Sequence, residues 1–365
     1  MGSEKNTPSK EYFINLLTKD ITVENAICEL INNAVSRYNY QRDTLGLDEY
    51  WISVQMKNNC IQIWDNCGAI EDVDLLKEKL RFDKIKKEED DSLVIALLKC
   101  GDRIELELNN NINSYLIKID SKTEINSWKL IDQESFSSDK PKGLRIIIKD
   151  IYPDIKCKLE SGTLDRNLRS IVATKYRYLL DNNIKIKIND KFIESRFIKE
   201  SLIYEEYKVI EDLIVKVKLY KCSKDRINGW DIVVNDICRL ERNKSSMISW
   251  SRLRIDGHSF LRFRGEVLIY CKRPERIIVN SIKNIINSES SIFTLIKEFM
   301  YSVVFANQDR FKKNYVYIQY EKPEEEVNIL KDFFREEVDG YKEVTAKIVG
   351  EESFALAIKE YQRKL

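Results

Sequence analysis

Glu29 and Asn33 stand four residues apart in CELINNAV (28–35). That spacing projects both side chains from one face of a helix. A carboxylate there can orient a water for attack, and an amide one turn later can ligand Mg²⁺. A second chemical element ends the apolar run CIQIWD (60–65), where Asp65 is followed by Asn66, Cys67, Gly68 and Ala69. An aspartate at a strand end, pointing into a cleft, can accept a hydrogen bond from an adenine amino group. A third is KGLRIIIKD (142–150), with Gly143 just before a buried strand. Taken singly, each has a bland reading: a wetted helix face, a strand-end turn, a turn before a strand. Taken in this order they are more specific.

The elements that would position these residues follow from periodicity. Residues 9–19 read as a first helix and 21–38 as a second. Thr22 is placed to cap the second, and apolar residues at 23, 27, 30, 31, 34 and 35 make one helical face. Strands follow at 50–57 and 60–65, joined by an Asn-Asn turn, then a charged helix at 71–81 and the charged loop KIKKEEDD (84–91). Further strands read at 103–108, 114–120, 127–131 and 143–151. Helices followed by a mainly antiparallel sheet make residues 1–152 an α+β sandwich. The basic amphipathic helix 163–180 reads as part of a connector, 153–182. A second α+β domain, 183–320, then alternates strands at 184–190, 213–220, 230–236 and 266–272 before a helix near 290–305. The tail, 321–365, reads helix, strand, helix.

Composition bounds the function classes. The 365 residues are 43% hydrophobic and 33% charged, with 61 Lys+Arg against 60 Asp+Glu and a net charge of +1. A chain-wide basic field is absent, so nucleic-acid contact needs a local patch. The candidates are 166–177 and the aromatic-basic run SRLRIDGHSFLRFRG (251–265). The eight cysteines form no CxxC pair, and His258 is the sole histidine, which argues against a zinc or imidazole-based nucleophile site. The thiols read as reduced and mostly buried, in a cytoplasmic protein. No apolar run has the ~20 residues of a membrane span, and the polar start MGSEKNTPSKEY does not read as a signal peptide.

The succession ELxxNA, a strand ending DNxG, a charged loop, LxxGDRIEL and then GxxIxI resembles the GHKL ATPases, the Bergerat-fold family of topoisomerases, heat-shock chaperones, mismatch-repair ATPases, sensor kinases and MORC-like proteins. The segments 229–250, 257–267 and 276–293 resemble the transducer domain of bacterial MORC-like members, so the likeness covers about residues 10–305. It implies a GHKL sandwich followed by a transducer-like domain, with ATP and Mg²⁺ as cofactors. Glu29 would match the general base and Asn33 the Mg²⁺ ligand. Asp65 would match the adenine-reading carboxylate, with Gly143 and Gly68, the latter not one of the motif's own glycines, as further cofactor-binding residues. Lys283 would match the lysine that the transducer domain inserts toward the γ-phosphate.

The sequence also departs from that pattern. The family's DxGxG is Asp65-Asn66-Cys67-Gly68-Ala69 here, and its Gly-Thr is Gly143-Leu144. The glycine-rich lid falls on 90–96, Asp-Asp-Ser-Leu-Val-Ile-Ala, without glycine or lysine. Backbone amides wrap phosphates less easily without glycine, and the acidic run 88–91 repels them. Residues 82–96 are therefore expected to form either a solvated acidic loop or a helix packed over the cleft through Leu93, Leu97 and Leu98. Three functions follow. One is a nucleotide-linked conformational switch with weak hydrolysis, plausible in bacterial defence or DNA-associated systems by analogy with relatives. The second is a catalytically inactive pseudo-ATPase that serves as a protein-binding scaffold or sensor. The third is a nucleic-acid binder. A protein partner or a homodimer is the expected partner of the first two.

Overall fold

A computed structural model describes residues 10–45, 49–57, 59–70, 72–80, 92–110, 114–121, 129–135, 142–182, 184–222, 228–248, 263–280, 285–307 and 310. The architecture is α+β, with two larger sheets, both of mixed partners, and helices. The chain divides into two compact units. The first comprises 1–199, 231–241 and 274–294; the second comprises 200–230, 242–273 and 295–365.

The first unit opens with α1 (Lys10–Thr18) and α2 (Val23–Leu45). Thr22 caps α2, its Oγ1 accepting from the Asn25 amide at 3.2 Å. The stripe Val23, Ile27, Leu30, Ile31, Ala34 and Val35 is buried in full. At ~1.5–3 kcal/mol for each large aliphatic side chain, that face anchors the helix far more strongly than its propensity does. The helix runs beyond the expected residue 38.

Next come β1 (Tyr50–Lys57), β2 (Cys60–Asp65), α3 (Val73–Lys79), α4 (Ser92–Cys100), β3 (Gly101–Asn109), β4 (Ser114–Asp120), β5 (Lys129–Ser135) and β6 (Gly143–Ile151). After α5 (Pro153–Glu160), α6 (Thr163–Lys175) and α7 (Arg177–Asn182) come β7 (Ile184–Ile188) and β8 (Lys191–Phe192). These eight strands form one sheet, β5-β4-β3-β6-β2-β1-β7-β8. All neighbours are antiparallel except β1 and β7, which run parallel. The segment 184–190, grouped by its sequence with the second domain, thus completes the first sheet. The helix read over 163–180 is broken at Tyr176.

Register decides which side chains face inward. Ile52, Val54 and Met56 of β1 pair with Asp65, Ile63 and Ile61 of β2, and Ile63 and Ile61 pair with Ile146 and Ile148 of β6. Paired residues share a face, so Asp65 lies on the same buried, helix-covered face as this isoleucine layer. The opposite face carries cross-strand pairs such as Lys149–Glu105 at 2.7 Å, and Arg145 over the Trp64 ring at 5.9 Å. Trp64 itself meets Trp51 edge-on at 5.0 Å.

The remaining strands include β9 (Ser201–Ile210), β10 (Leu213–Lys221), β11 (Gly229–Val234), β12 (Ile237–Asn243) and β13 (Phe263–Tyr270). In the second unit, β10 pairs antiparallel with both β9 and β13. Alternate residues of β10, Leu213, Val215, Val217 and Leu219, are buried. Trp230 packs edge-on against Phe263 at 5.5 Å. The short hairpin β14 (Ile278–Asn280) and β15 (Ile285–Ile286) precedes α8 (Ser291–Ala306). Among the described residues no helix is long and apolar enough to cross a membrane.

Candidate functional site

Three of the residues singled out by sequence converge on a fourth that was not. Asp65 is inward by strand alternation and only 2% exposed. Arg37 lies one helical turn beyond Asn33 on α2 and reaches all of them. One of its Nη atoms donates to the Asn33 Oδ1, the other to Asp65 Oδ2, and Nε donates to the Gly68 carbonyl at 3.2 Å. Every nitrogen of the guanidinium is therefore engaged, and the Arg37–Asp65 ion pair has 10% and 2% of its side chains exposed. Arg37 is the residue that a residue-by-residue reading missed. Its signal was the i, i+4, i+8 series Glu29, Asn33, Arg37 on one helical stripe.

The turn after β2 explains why Asp65 is held. Its Oδ1 accepts from the Cys67 amide at 3.0 Å, closing a local turn. Asn66 stitches the turn to the start of β1: its Oδ1 accepts from the Trp51 amide at 2.7 Å and its Nδ2 donates to the Glu49 carbonyl at 3.0 Å. Gly68 takes φ 121°, a region that an L side chain rarely adopts. The first residue of β6 lies directly against the carboxylate's own backbone. A Cβ on Gly143 would sit 1.9 Å from the Asp65 carbonyl oxygen. Only glycine lets β6 enter the sheet there. Cys67 is fully buried, and burial, reinforced by the Asp65 charge, pushes its thiol well above the ordinary range, against the opposing Arg37 cation.

Glu29, one turn before Asn33, faces a different set of partners. Its Oε2 accepts from Asn32 Nδ2 at 2.8 Å. Asn32 Oδ1 in turn lies 2.8 Å from the Tyr176 hydroxyl, which also lies 2.7 Å from the Cys28 carbonyl. Next to Tyr176, Lys175 is buried, and desolvation lowers its amine below the usual lysine range. Arg177 forms an ion pair with Asp231 at 3.0 Å, with 1% and 0% of the side chains exposed.

The segment where a lid was expected divides in two. Residues 92–96 belong to α4, which buries Val94, Ala96, Leu97 and Leu98 and packs Leu93 against the same core. Residues 82–91 lie outside the described residues, as do Lys283, 251–262 of the second basic run and the 321–365 extension. The first basic run, 166–177, does not present a cationic stripe. Lys175 and Arg177 are buried, and Arg169 is held by Asp165 through two bonds of 2.7 and 3.1 Å, which leaves Arg166 exposed. Of the four cations in this run, two are buried and one is paired, so Arg166 is the one left exposed.

As arranged, these residues do not fit ATP and Mg²⁺. Both Asp65 oxygens and the Asn33 amide oxygen are occupied by the protein's own donors. The guanidinium on Asn33 also places a positive charge where a divalent cation would bind. The side chains of Cys67 and Ala69 are buried where the base would need open backbone. Comparison with protein-family models and with curated proteins finds no match for this chain.

Proposed function

We propose that the chain is a divergent GHKL-type protein, its first unit a degenerate nucleotide-binding sandwich and its later strands transducer-like. It works as a catalytically inactive scaffold or sensor that acts by binding another protein. The order of the motifs supports the ancestry. One observation carries the inactive state: Arg37 takes the acceptors of Asn33 and Asp65 through which a nucleotide and its metal would be held. The two family glycines that are replaced, and the helix α4 where a glycine lid would lie, point the same way.

A second reading, a nucleotide-linked switch with weak hydrolysis, is favoured by one arrangement. Glu29 and Asn33 keep their one-turn spacing on α2, and Asp65 faces that helix. Phosphate release from ATP separates the two. The scaffold reading expects wild type and Glu29→Ala to give the same background rate. A wild-type rate that Glu29→Ala abolishes establishes the switch.

A further inference from the structure

We infer that Arg37 is an internal ligand of the cleft, a guanidinium that competes with an incoming amino-heterocycle for Asp65 and holds the site closed against it. The inference rests on the reading of this cleft as a former nucleotide site.

Three separate contacts define the occupant. The guanidinium nitrogens reach a carboxylate, a side-chain amide oxygen and a backbone carbonyl, each from a different nitrogen. A lone carboxylate could take only two of the five N–H groups, so the amide oxygen and the carbonyl supply acceptors that the ion pair by itself would not. The acceptors come from a helix, a strand end and the turn after it, and Arg37 ties the three together. Asp65 is buried, so its charge has to be matched by a donor from within the site.

The chemistry that would replace Arg37 follows from what it leaves behind. With Arg37 withdrawn, the site exposes Asp65 Oδ2, Asn33 Oδ1 and the Gly68 carbonyl. Asp65 Oδ1 keeps its bond from the Cys67 amide. Acceptors predominate in that cradle, with a carboxylate among them, which disfavours phosphate and calls for N–H donors. An exocyclic amino group on a flat ring, as in adenine, supplies them without bringing a charge. The same withdrawal removes the cation from Asn33, the position where a divalent ion would otherwise be repelled. Substituting Arg37 thus relieves the part of the misfit that lies at Asp65 and Asn33, while the Cys67 and Ala69 side chains stay where they are.

Calorimetric titration of the full chain with adenosine, and with ADP and Mg²⁺, tests this on wild type, Arg37→Met and Arg37→Gln. The glutamine variant keeps a neutral donor on α2 and guards against a methionine variant that does not fold. Circular dichroism and thermal melting establish the fold of each. The expected result is about tenfold or more tighter binding of adenosine in the folded Arg37 variants than in wild type. Adding Asp65→Asn to Arg37→Met should erase that gain. If wild type and the folded variants bind adenosine equally well, the internal-ligand idea falls while the nucleotide cleft stands. If none of them binds, both fall.

Discussion

Tyr176 and Asn32 are joined by a 2.8 Å hydrogen bond that fixes which way Asn32 presents its amide. With its oxygen held by the tyrosine hydroxyl, Asn32 turns its Nδ2 onto Glu29. The C-terminal end of α6 therefore sets the environment of the one carboxylate on α2 that is spaced for water chemistry. Tyr176→Phe should remove the donor and leave a buried amide oxygen unmatched, lowering stability by about 1–3 kcal/mol. Urea denaturation should show a lower midpoint with an unchanged slope. A loss below about 0.5 kcal/mol would mean that the hydroxyl does not orient Asn32.

The neighbouring pair Arg177–Asp231 behaves as a unit. Removing one partner takes the opposite charge at 3.0 Å away from the other in the interior, so Arg177→Met or Asp231→Leu alone should cost about 3–5 kcal/mol. The double variant should recover most of that loss, because two apolar side chains need no partner. Denaturation of the two single variants and the double gives the cycle. Additive losses would show that the two residues are not coupled.

Gly143 tests the close approach of β6 to the candidate site. A methyl group at that position would overlap the Asp65 carbonyl, so Gly143→Ala must displace either the start of β6 or the turn after β2. The expected cost is about 1–3 kcal/mol, in the range of overpacked cores. The measurement is the denaturation midpoint, and a variant as stable as wild type would contradict the contact.

Alkaline pH should destabilise the fold through its thiols. Burial pushes Cys28, Cys60 and Cys67 above the ordinary value of 9.0, and Cys100 and Cys222 to about 12. The unfolded chain releases these protons near 9.0 while the folded chain keeps them. Their contribution is complete below that value and is lost as pH rises toward 12. Each of Cys100 and Cys222 should account for about 1.4 kcal/mol per pH unit within that window. Midpoints in urea at pH 8 and pH 10 check it, and a stability that rises over this range would contradict it. Lys175, lowered by desolvation, works in the opposite direction and is outnumbered.

The fold was legible where a short pattern decides it. Thr22 and the apolar stripe of α2 marked that helix, and the alternation Ile61, Ile63, Asp65 already turned the aspartate inward. What escaped depends on partners distant in sequence. Nothing local in IKIKI announces that β7 pairs parallel to β1. No glycine or proline marks the break at Tyr176, where two adjacent polar side chains turn to buried partners. β9, SLIYEEYKVI, hid because most of it is half-exposed and its alternation is weak. At the site, the carboxylate was legible but its occupant was not. Arg37 reads as one more charge on a helix until the strand end folds against it.

The central claim, that the protein's own arginine holds the acceptors of a former nucleotide cleft, is tested most directly by calorimetric titration of purified wild type. The titrant is a non-hydrolysable ATP analogue with Mg²⁺. The account predicts no saturable binding up to about 1 mM ligand. Stoichiometric binding in the micromolar range, lost in Asp65→Asn, would contradict it and show that Arg37 yields to the nucleotide unaided.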